Sequence, residues 1–192
     1  MQADYTVELG ADDEILEVPW ADPEGRLQYY DLKAHPELLE QIEEVRRAPE
    51  LGEFLKAVNA GKGILETVKC DTWTTTEMTP EEEVFAASLK FGCYVDLIFR
   101  KRDASEGLRS SFEAHEGLAK KIVALLRRVP EIPASAELFI RRCFFTAAGG
   151  PAEGCYMTLY VFGYGDEEEE ARRHWAIALK LAENAIRQIA AE

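Results

Sequence analysis

The sequence contains neither a positively charged leader followed by an apolar stretch nor an apolar run of about 18 residues. It therefore predicts neither a signal peptide nor a membrane-spanning segment. A cytoplasmic location, with no membrane partner, is the resulting expectation.

Basic residues are scarce, since 22 Lys and Arg stand against 36 Asp and Glu, giving a net charge of -14 and a pI near 4.7. A charge of this sign repels phosphate backbones, so we expect no nucleic-acid partner. The largest basic cluster, Arg100 to Arg102, is short and is followed by Asp103. An RNP-like motif, which would indicate single-strand RNA binding on a sheet, is also missing.

Motifs that carry cofactors, metals or nucleophiles are absent as well. There is no Gly-x-Gly-x-x-Gly, Walker A, His-Glu-x-x-His or Gly-x-Ser-x-Gly pattern, so we assign no cofactor and no metal. The four cysteines form no CxxC unit, which is typical of buried reduced thiols. On neighbouring strands, Cys70 could come close to Cys93, and Cys143 to Cys155.

The chain does contain a recurring order of elements. Residues 141–145 and 154–162 predict a β-hairpin followed by a long helix, and residues 68–70 and 92–99 precede another long helix. We infer three strand-strand-helix units, at about 14–62, 63–130 and 135–192. They predict a single α+β domain over 1–192, with long helices on one face of a largely antiparallel sheet of about six strands.

Alternating apolar residues and turn residues set the predicted element bounds. Before the first unit we expect a strand at 5–9, and within the unit strands at 14–20 and 26–32 and helices from Pro36 and from Leu51. In the second, strands at 65–76 and 85–100 flank a turn at 79–81. In the third, the hairpin turns at 147–151.

Two helices are predicted from capping-box spacing, Asp103 with Glu106 and Asp166 with Glu169. The acidic run that begins at Asp166 is then the solvated first turn of the last helix. The apolar stripe of the earlier helix is expected to comprise Leu108, Phe112, Ala119, Ile122, Val123 and Leu126.

Side chains alternate across a strand, so if the cysteines of the two central strands face the helices, their neighbours face away. The expected outward residues are Lys69, Asp71, Trp73, Thr75, Lys90, Tyr94, Asp96, Ile98, Arg100, Tyr156, Thr158, Tyr160, Phe162 and Tyr164. This open face is aromatic with a few fixed charges.

The leading hypothesis is non-enzymatic binding of a small organic ligand or a protein partner on the open face. The residues expected to bind are Trp73, Lys90, Tyr94, Arg141, Tyr156 and Tyr160. The alternative is structural, in which the N-terminal segment or a second subunit covers this face.

An enzyme with acid/base or hydrolytic chemistry is the competing hypothesis. Its participants would be Asp71, Asp96, Tyr94, Arg141 and His115, because carboxylates among aromatic rings can have raised pKa values. Helical spacing places His115 on an apolar face, where a core histidine with one hydrogen bond is the usual finding.

The last helix predicts a homodimer. Trp175, Leu179 and Ala182 begin one apolar stripe that continues through Ile186 and Ile189. Ile177 and Leu181 lie off that stripe, which would leave apolar surface for a second subunit to cover.

Overall fold

A computed structural model describes residues 1–61, 63–100, 107–129, 131–147 and 150–191, without the side chain of Ala147. Within these ranges six strands form one sheet. They are β1 Gln2–Glu8, β2 Leu16–Val18, β3 Leu65–Thr75, β4 Leu89–Phe99, β5 Ala134–Ala147 and β6 Gly150–Gly165.

The strand order is β1-β5-β6-β4-β3, with β2 also paired to β5. The contacts β5–β6, β6–β4 and β4–β3 are antiparallel, whereas β1 and β2 both run parallel to β5. The prediction of an α+β fold with a largely antiparallel sheet of about six strands is therefore confirmed. The parallel pairing of the N-terminal strands is new.

The α-helices are α1 Glu43–Arg47, α2 Pro49–Asn59, α3 Phe112–Leu126 and α4 Glu168–Ala190. Buried side chains of α2, α3 and α4 share one hydrophobic core with Cys93 and Val95 of β4 and Leu159 of β6. The predicted stripe of α4 lies in this core, and its Trp175 is fully buried. None of the helices in the described ranges combines the length and apolar character needed to cross a membrane.

The first third of the chain differs from the prediction. Residues 26–32 form no strand, and only an isolated bridge joins Ala21 to Gln28. This stretch instead forms a loop. Its Leu32 packs in the helix-side core, and its Tyr29 packs on the opposite face of the sheet. The order strand, strand, helix occurs at β3–β4–α3 and β5–β6–α4, and a repeat relating these units stays a prediction.

One strand boundary moves for a local reason. The strand predicted from Phe85 begins at Leu89, because Pro80–Phe85 form a 3₁₀ helix. Thr79 and Glu82 close its start with a capping box, and Ala86 ends it with φ 47°.

The predicted caps of the long helices also shift. The capping pair Asp103 and Glu106 lies outside the described residues, and α3 begins after Ser111, whose hydroxyl accepts a 3.1 Å bond from the amide of Ala114. Leu108 precedes that helix and is exposed. At α4 the N-cap is Glu167, while Asp166 accepts hydrogen bonds from Ser88.

Candidate functional site on the open face of the sheet

The face opposite the helices carries the predicted outward side chains. In β4 Cys93 belongs to the helix-side core, and Tyr94 pairs in register with Tyr160 of β6 on the other face. Asp71 pairs with Tyr94, and Trp73 pairs with Gly92. The predicted alternation of β4 and β6 is therefore confirmed. In β3 a shift of register between Thr67 and Cys70 interrupts it, so that Val68 as well as Lys69 lies on the open face.

The N-terminal segment, residues 14–29, covers one end of this face. Leu16 and Val18 of β2 form a second hydrophobic cluster with Tyr156 and Ile98, and Trp20 and Tyr29 pack against the cluster. Tyr156 is only 1% exposed, so its contact with a ligand stays a prediction that would require the segment to move. The alternative that the N-terminal segment covers the open face is therefore correct for this end of the sheet.

The 3₁₀ helix Pro80–Phe85 covers the other end. The Phe85 ring stacks on Tyr164, with centroids 4.0 Å apart and planes at 11°. Glu82 accepts bonds from Lys90 Nζ at 2.6 and 2.7 Å and from the Tyr164 hydroxyl at 2.7 Å. Lys90 is consequently buried and already engaged.

Between the two covered ends lies an aromatic surface, which we define as Trp73, Tyr94, Phe139, Tyr160 and Phe162. All five rings are half-buried, so each has one part packed and one part open to solvent. Their centroids form a connected network: 6.2 Å for Trp73–Tyr94, 5.7 Å for Trp73–Phe162, 5.9 Å for Tyr94–Tyr160 and 5.4 Å for Phe139–Tyr160. These separations are typical of aromatic pairs that attract one another.

The backbone of Gly92 makes room for this surface. A Cβ at that position would lie 2.4 Å from Cδ1 of Phe162, so only glycine leaves space for the Phe162 ring over β4. Phe139 belongs to this network but was not among the outward residues predicted from the sequence. Its signal is the alternation of β5, where Phe139 has the same phase as Arg141.

A chain of polar contacts runs beside the rings. Arg141 lies 4.8 Å from the Phe139 ring, and its Nε donates to Glu8 at 2.6 Å. Its Nη1 donates to Thr158 Oγ1 at 3.2 Å, and that hydroxyl donates to Asp96 Oδ1 at 2.7 Å. Arg141 and Asp96 are thus linked through a shared threonine.

Asp96 is the most perturbed carboxyl of this face. It is 5% exposed, and burial raises its pKa to about 7, although the Thr158 hydrogen bond and the charge of Lys69 act in the opposite direction. Asp71 has other surroundings: its side chain is about half exposed and lies 3.8 Å from Arg47. The two acids proposed as a pair therefore occupy different environments.

His115 lies on the other side of the sheet. It is completely buried, its ring is 4.7 Å from Phe99, and its Nδ1 lies 2.7 Å from the carbonyl oxygen of Ser111. Burial lowers the pKa of this imidazole. The reading as a core histidine is confirmed, and His115 does not join Asp96 in one site.

The cysteines are free, and three of them are buried. Burial raises the pKa of Cys93 to about 12, which keeps the thiol protonated. Cys143 belongs to the cluster under the N-terminal segment and Cys155 to the helix-side core, so their side chains face opposite sides of the paired strands β5 and β6. The two residues are one ladder position apart, and Cys155 contributes to the raised pKa of Cys143. Among the described residues no group of three or more His, Cys, Asp or Glu could hold a metal ion.

A cleft of about 590 Å³ adjoins the aromatic surface, between the N-terminal segment and the outer face of β3. Trp20 belongs to its segment side, and Lys69, Asp71 and Tyr94 belong to its sheet side. Tyr94 is shared by the cleft and the aromatic surface. Sequence patterns gave no signal for this cleft, because its two sides lie about 50 residues apart in the chain.

Comparisons with models of known protein families, with curated proteins and with solved structures gave no match for this chain.

Proposed function

We propose that this chain is a non-enzymatic binding protein whose aromatic surface takes a protein partner. The observation that carries the proposal is the set of five connected, half-buried rings between two covered ends of the sheet. The rings come from four adjacent strands, β5, β6, β4 and β3, which at a spacing of about 4.8 Å span about 15 Å.

The breadth of this surface favours a protein over a small molecule. Small-ligand sites are concave and bury about 70–90% of the ligand, whereas a planar molecule on an open sheet would have one face in water. Protein interfaces, by contrast, are enriched in Tyr, Trp and Phe at their centres. Trp73, Tyr94 and Tyr160 contact one another within the uncovered region.

The rings are also held in place before any partner arrives. Three of them project from the adjacent antiparallel strands β4 and β6, and Trp73 contacts all three. Arg141 fixes Phe139 from the side while bonding to Glu8. Preorganised aromatic side chains lose little conformational entropy on binding, which favours affinity.

Removing single rings should weaken partner binding strongly. We expect Trp73→Ala and Tyr160→Ala each to weaken a purified partner complex by about 30-fold or more, the effect of losing a hot-spot residue. Comparative affinity capture would first identify proteins retained by the wild-type chain and lost by both variants. Calorimetry with the purified partner would then measure the dissociation constants.

Ile177→Ala is the matched control for that experiment, because Ile177 is an exposed apolar residue of α4 on the opposite layer. It should bind the partner as the wild-type chain does, and circular dichroism should show all variants folded. The proposal is wrong if no protein is lost selectively on removing Trp73 and Tyr160, or if Ile177→Ala loses it equally.

The homodimer stays a separate prediction. Ile177 is 44% exposed, while Leu181 packs partly against the core, so the apolar area that α4 presents is small. Light scattering at micromolar concentration is expected to give twice the 21.6 kDa chain mass if the homodimer forms. A monomer would contradict the homodimer prediction and would leave the proposed partner site unaffected.

An acid/base enzyme is the second candidate, and one observation favours it. A carboxyl with a pKa of about 7 is suited to proton transfer at neutral pH, as is seen at catalytic sites. Asp71 and Tyr94 line the cleft, but Asp96 is 5% exposed and His115 lies across the sheet. Enzymatic turnover that titrates near pH 7 and is lost in Asp96→Asn would favour the enzyme over the binding protein.

A further inference from the structure

The cleft beside the aromatic surface already contains an ammonium group, that of Lys69. Its Nζ lies 5.4 Å from the centroid of the Trp20 ring and 5.9 Å from that of Tyr94. Both distances fall within the range of cation–π attraction. The two rings come from opposite sides of the cleft, so they form a two-walled site for a cation.

Lys69 is held in this position by the rings rather than by an ion pair. Among the residues that the structure describes, no carboxylate oxygen lies within 4.0 Å of its Nζ. Its side chain is half-buried. The four methylene groups of a lysine side chain rotate readily, so the ammonium can move to another position. Another cation could therefore take its place without breaking an ion pair.

The two rings are fixed independently of Lys69. The indole Nε1 of Trp20 donates to the backbone oxygen of Val68 at 2.8 Å, which sets the plane of that ring. Tyr94 touches Trp73 and Tyr160 at centroid distances of 6.2 and 5.9 Å. The two walls should thus stay in place when the lysine moves away.

The charge of the cleft also favours a cation. Among the described residues, Lys69 is the only basic one that lines the cleft, and five carboxylates line it, Glu14, Glu17, Asp22, Glu44 and Asp71. Two exposed arginines pair with part of this set: Arg47 with Glu44 and Asp71 at 3.5 and 3.8 Å, and Arg26 with Asp22 at 4.0 Å. Even with both arginines included, the carboxylates exceed the cations by two.

We propose that this cleft is a binding site for a small organic cation with an ammonium head, which replaces the Lys69 ammonium between Trp20 and Tyr94. The head would contact the two ring faces, and the carboxylates would attract it from solution. The cleft's volume of about 590 Å³ is that of a small-molecule site. This site does not depend on the protein partner proposed for the aromatic surface.

Choline and its uncharged isostere 3,3-dimethyl-1-butanol make a matched pair of probes. Titration of the full chain with each, followed through the Trp20 indole N–H signal by NMR, should give a saturable shift with choline only. The affinity for choline should fall as the salt concentration is raised, because salt screens the carboxylates at the rim of the cleft.

Four variants locate the cation. Lys69→Met, which removes the ammonium and leaves an unbranched apolar side chain one atom shorter, should bind choline more tightly than the wild-type chain, by about threefold or more. Lys56→Met changes the charge equally on an exposed position of α2 and should have no effect. Tyr94→Leu should weaken choline binding by about 3- to 30-fold because one ring is lost, whereas Tyr94→Phe should keep the wild-type affinity for choline.

Several results would overturn the proposal. Equal binding of choline and 3,3-dimethyl-1-butanol would make the cleft an apolar site. Weaker binding by Lys69→Met than by Lys56→Met would show that no cation replaces the lysine. No choline shift in either the wild-type chain or Lys69→Met would also exclude the site, as would a shift unaffected by Tyr94→Leu.

Discussion

At pH 8.5 the Asp96→Asn variant is expected to exceed the wild-type protein in free energy of unfolding by about 2 to 3 kcal/mol, and at pH 4 it should fall about 1 kcal/mol below it. Burial is the cause, because it raises the Asp96 pKa from 3.8 to about 7. The folded protein then binds the Asp96 proton more tightly than the unfolded chain does. The stability from this proton is present below about pH 4 and is lost as the pH rises towards 7.

The groups around Asp96 set the size of the effect. Three units of pKa correspond to about 4 kcal/mol at 1.36 kcal/mol per unit. Lys69 and Arg141 favour the anion, whereas Glu14 disfavours it. Asparagine keeps an oxygen that can accept from Thr158, but an unsatisfied amide hydrogen would cost about 1–2 kcal/mol, so the net gain is smaller than 4.

Urea unfolding of both proteins between pH 4 and 8.5 measures this prediction. The difference between the two curves isolates residue 96, because every other titrating group, including His115, is common to both. A variant that loses stability at pH 8.5 would contradict it. Asp96 would then be a structural anion held through Thr158 and Arg141.

Replacing Gly163 by alanine should lower the free energy of unfolding by about 3 kcal/mol, equivalent to about 6–12 °C in Tm. A Cβ at this position would lie 2.1 Å from the backbone nitrogen of Trp175 and 2.2 Å from the carbonyl oxygen of Ala171. Backbone atoms of a helix cannot move aside singly, so α4 would have to shift away from β6. That shift would loosen the core around Trp175.

Gly117→Ala provides the matched control. Gly117 is exposed within α3, and a Cβ there meets nothing within 4 Å. Alanine should therefore stabilise the protein by about 0.5–1 kcal/mol through helix propensity. If Gly163→Ala stayed within about 0.5 kcal/mol of the wild-type protein in the same urea titration, the close approach of β6 to α4 would be refuted.

The sequence predicts the central strands well because their signal is local. Residues 89–99 alternate with a period of two, and that alternation alone places Tyr94 and Asp96 opposite Cys93 and Val95. The stripe of α4 likewise follows from helical spacing. The open face and its tyrosines were therefore predictable.

The N-terminal third was not predictable in the same way. β1 and β2 pair in parallel with β5, more than 120 residues away, and no local pattern specifies such a partner. The alternation of apolar residues at 26–32 is typical of a strand. These residues nevertheless form a loop, and Tyr29 and Leu32 pack on opposite sides of the sheet. The cleft at Trp20 and Lys69 depends on that loop, so it escaped prediction too.

The environment of Asp96 bears on stability and on the proposed function. A buried carboxyl with a raised pKa destabilises the fold at neutral pH, and such costs are expected at functional sites. Asp96 lies next to the aromatic surface, since it is the second residue after Tyr94 on the same face of β4. Its charge state at pH 7 could thus differ between the free and the partner-bound protein.

Site-specific photo-cross-linking tests the partner site most directly. With p-benzoyl-phenylalanine placed at Tyr160, irradiation of the native host's cells should yield one discrete adduct with another protein. The same group at Glu53, which is exposed on α2 in the helix layer, should yield none. Equal adducts at both positions, or no adduct at Tyr160, would contradict the proposal that the aromatic surface binds a protein.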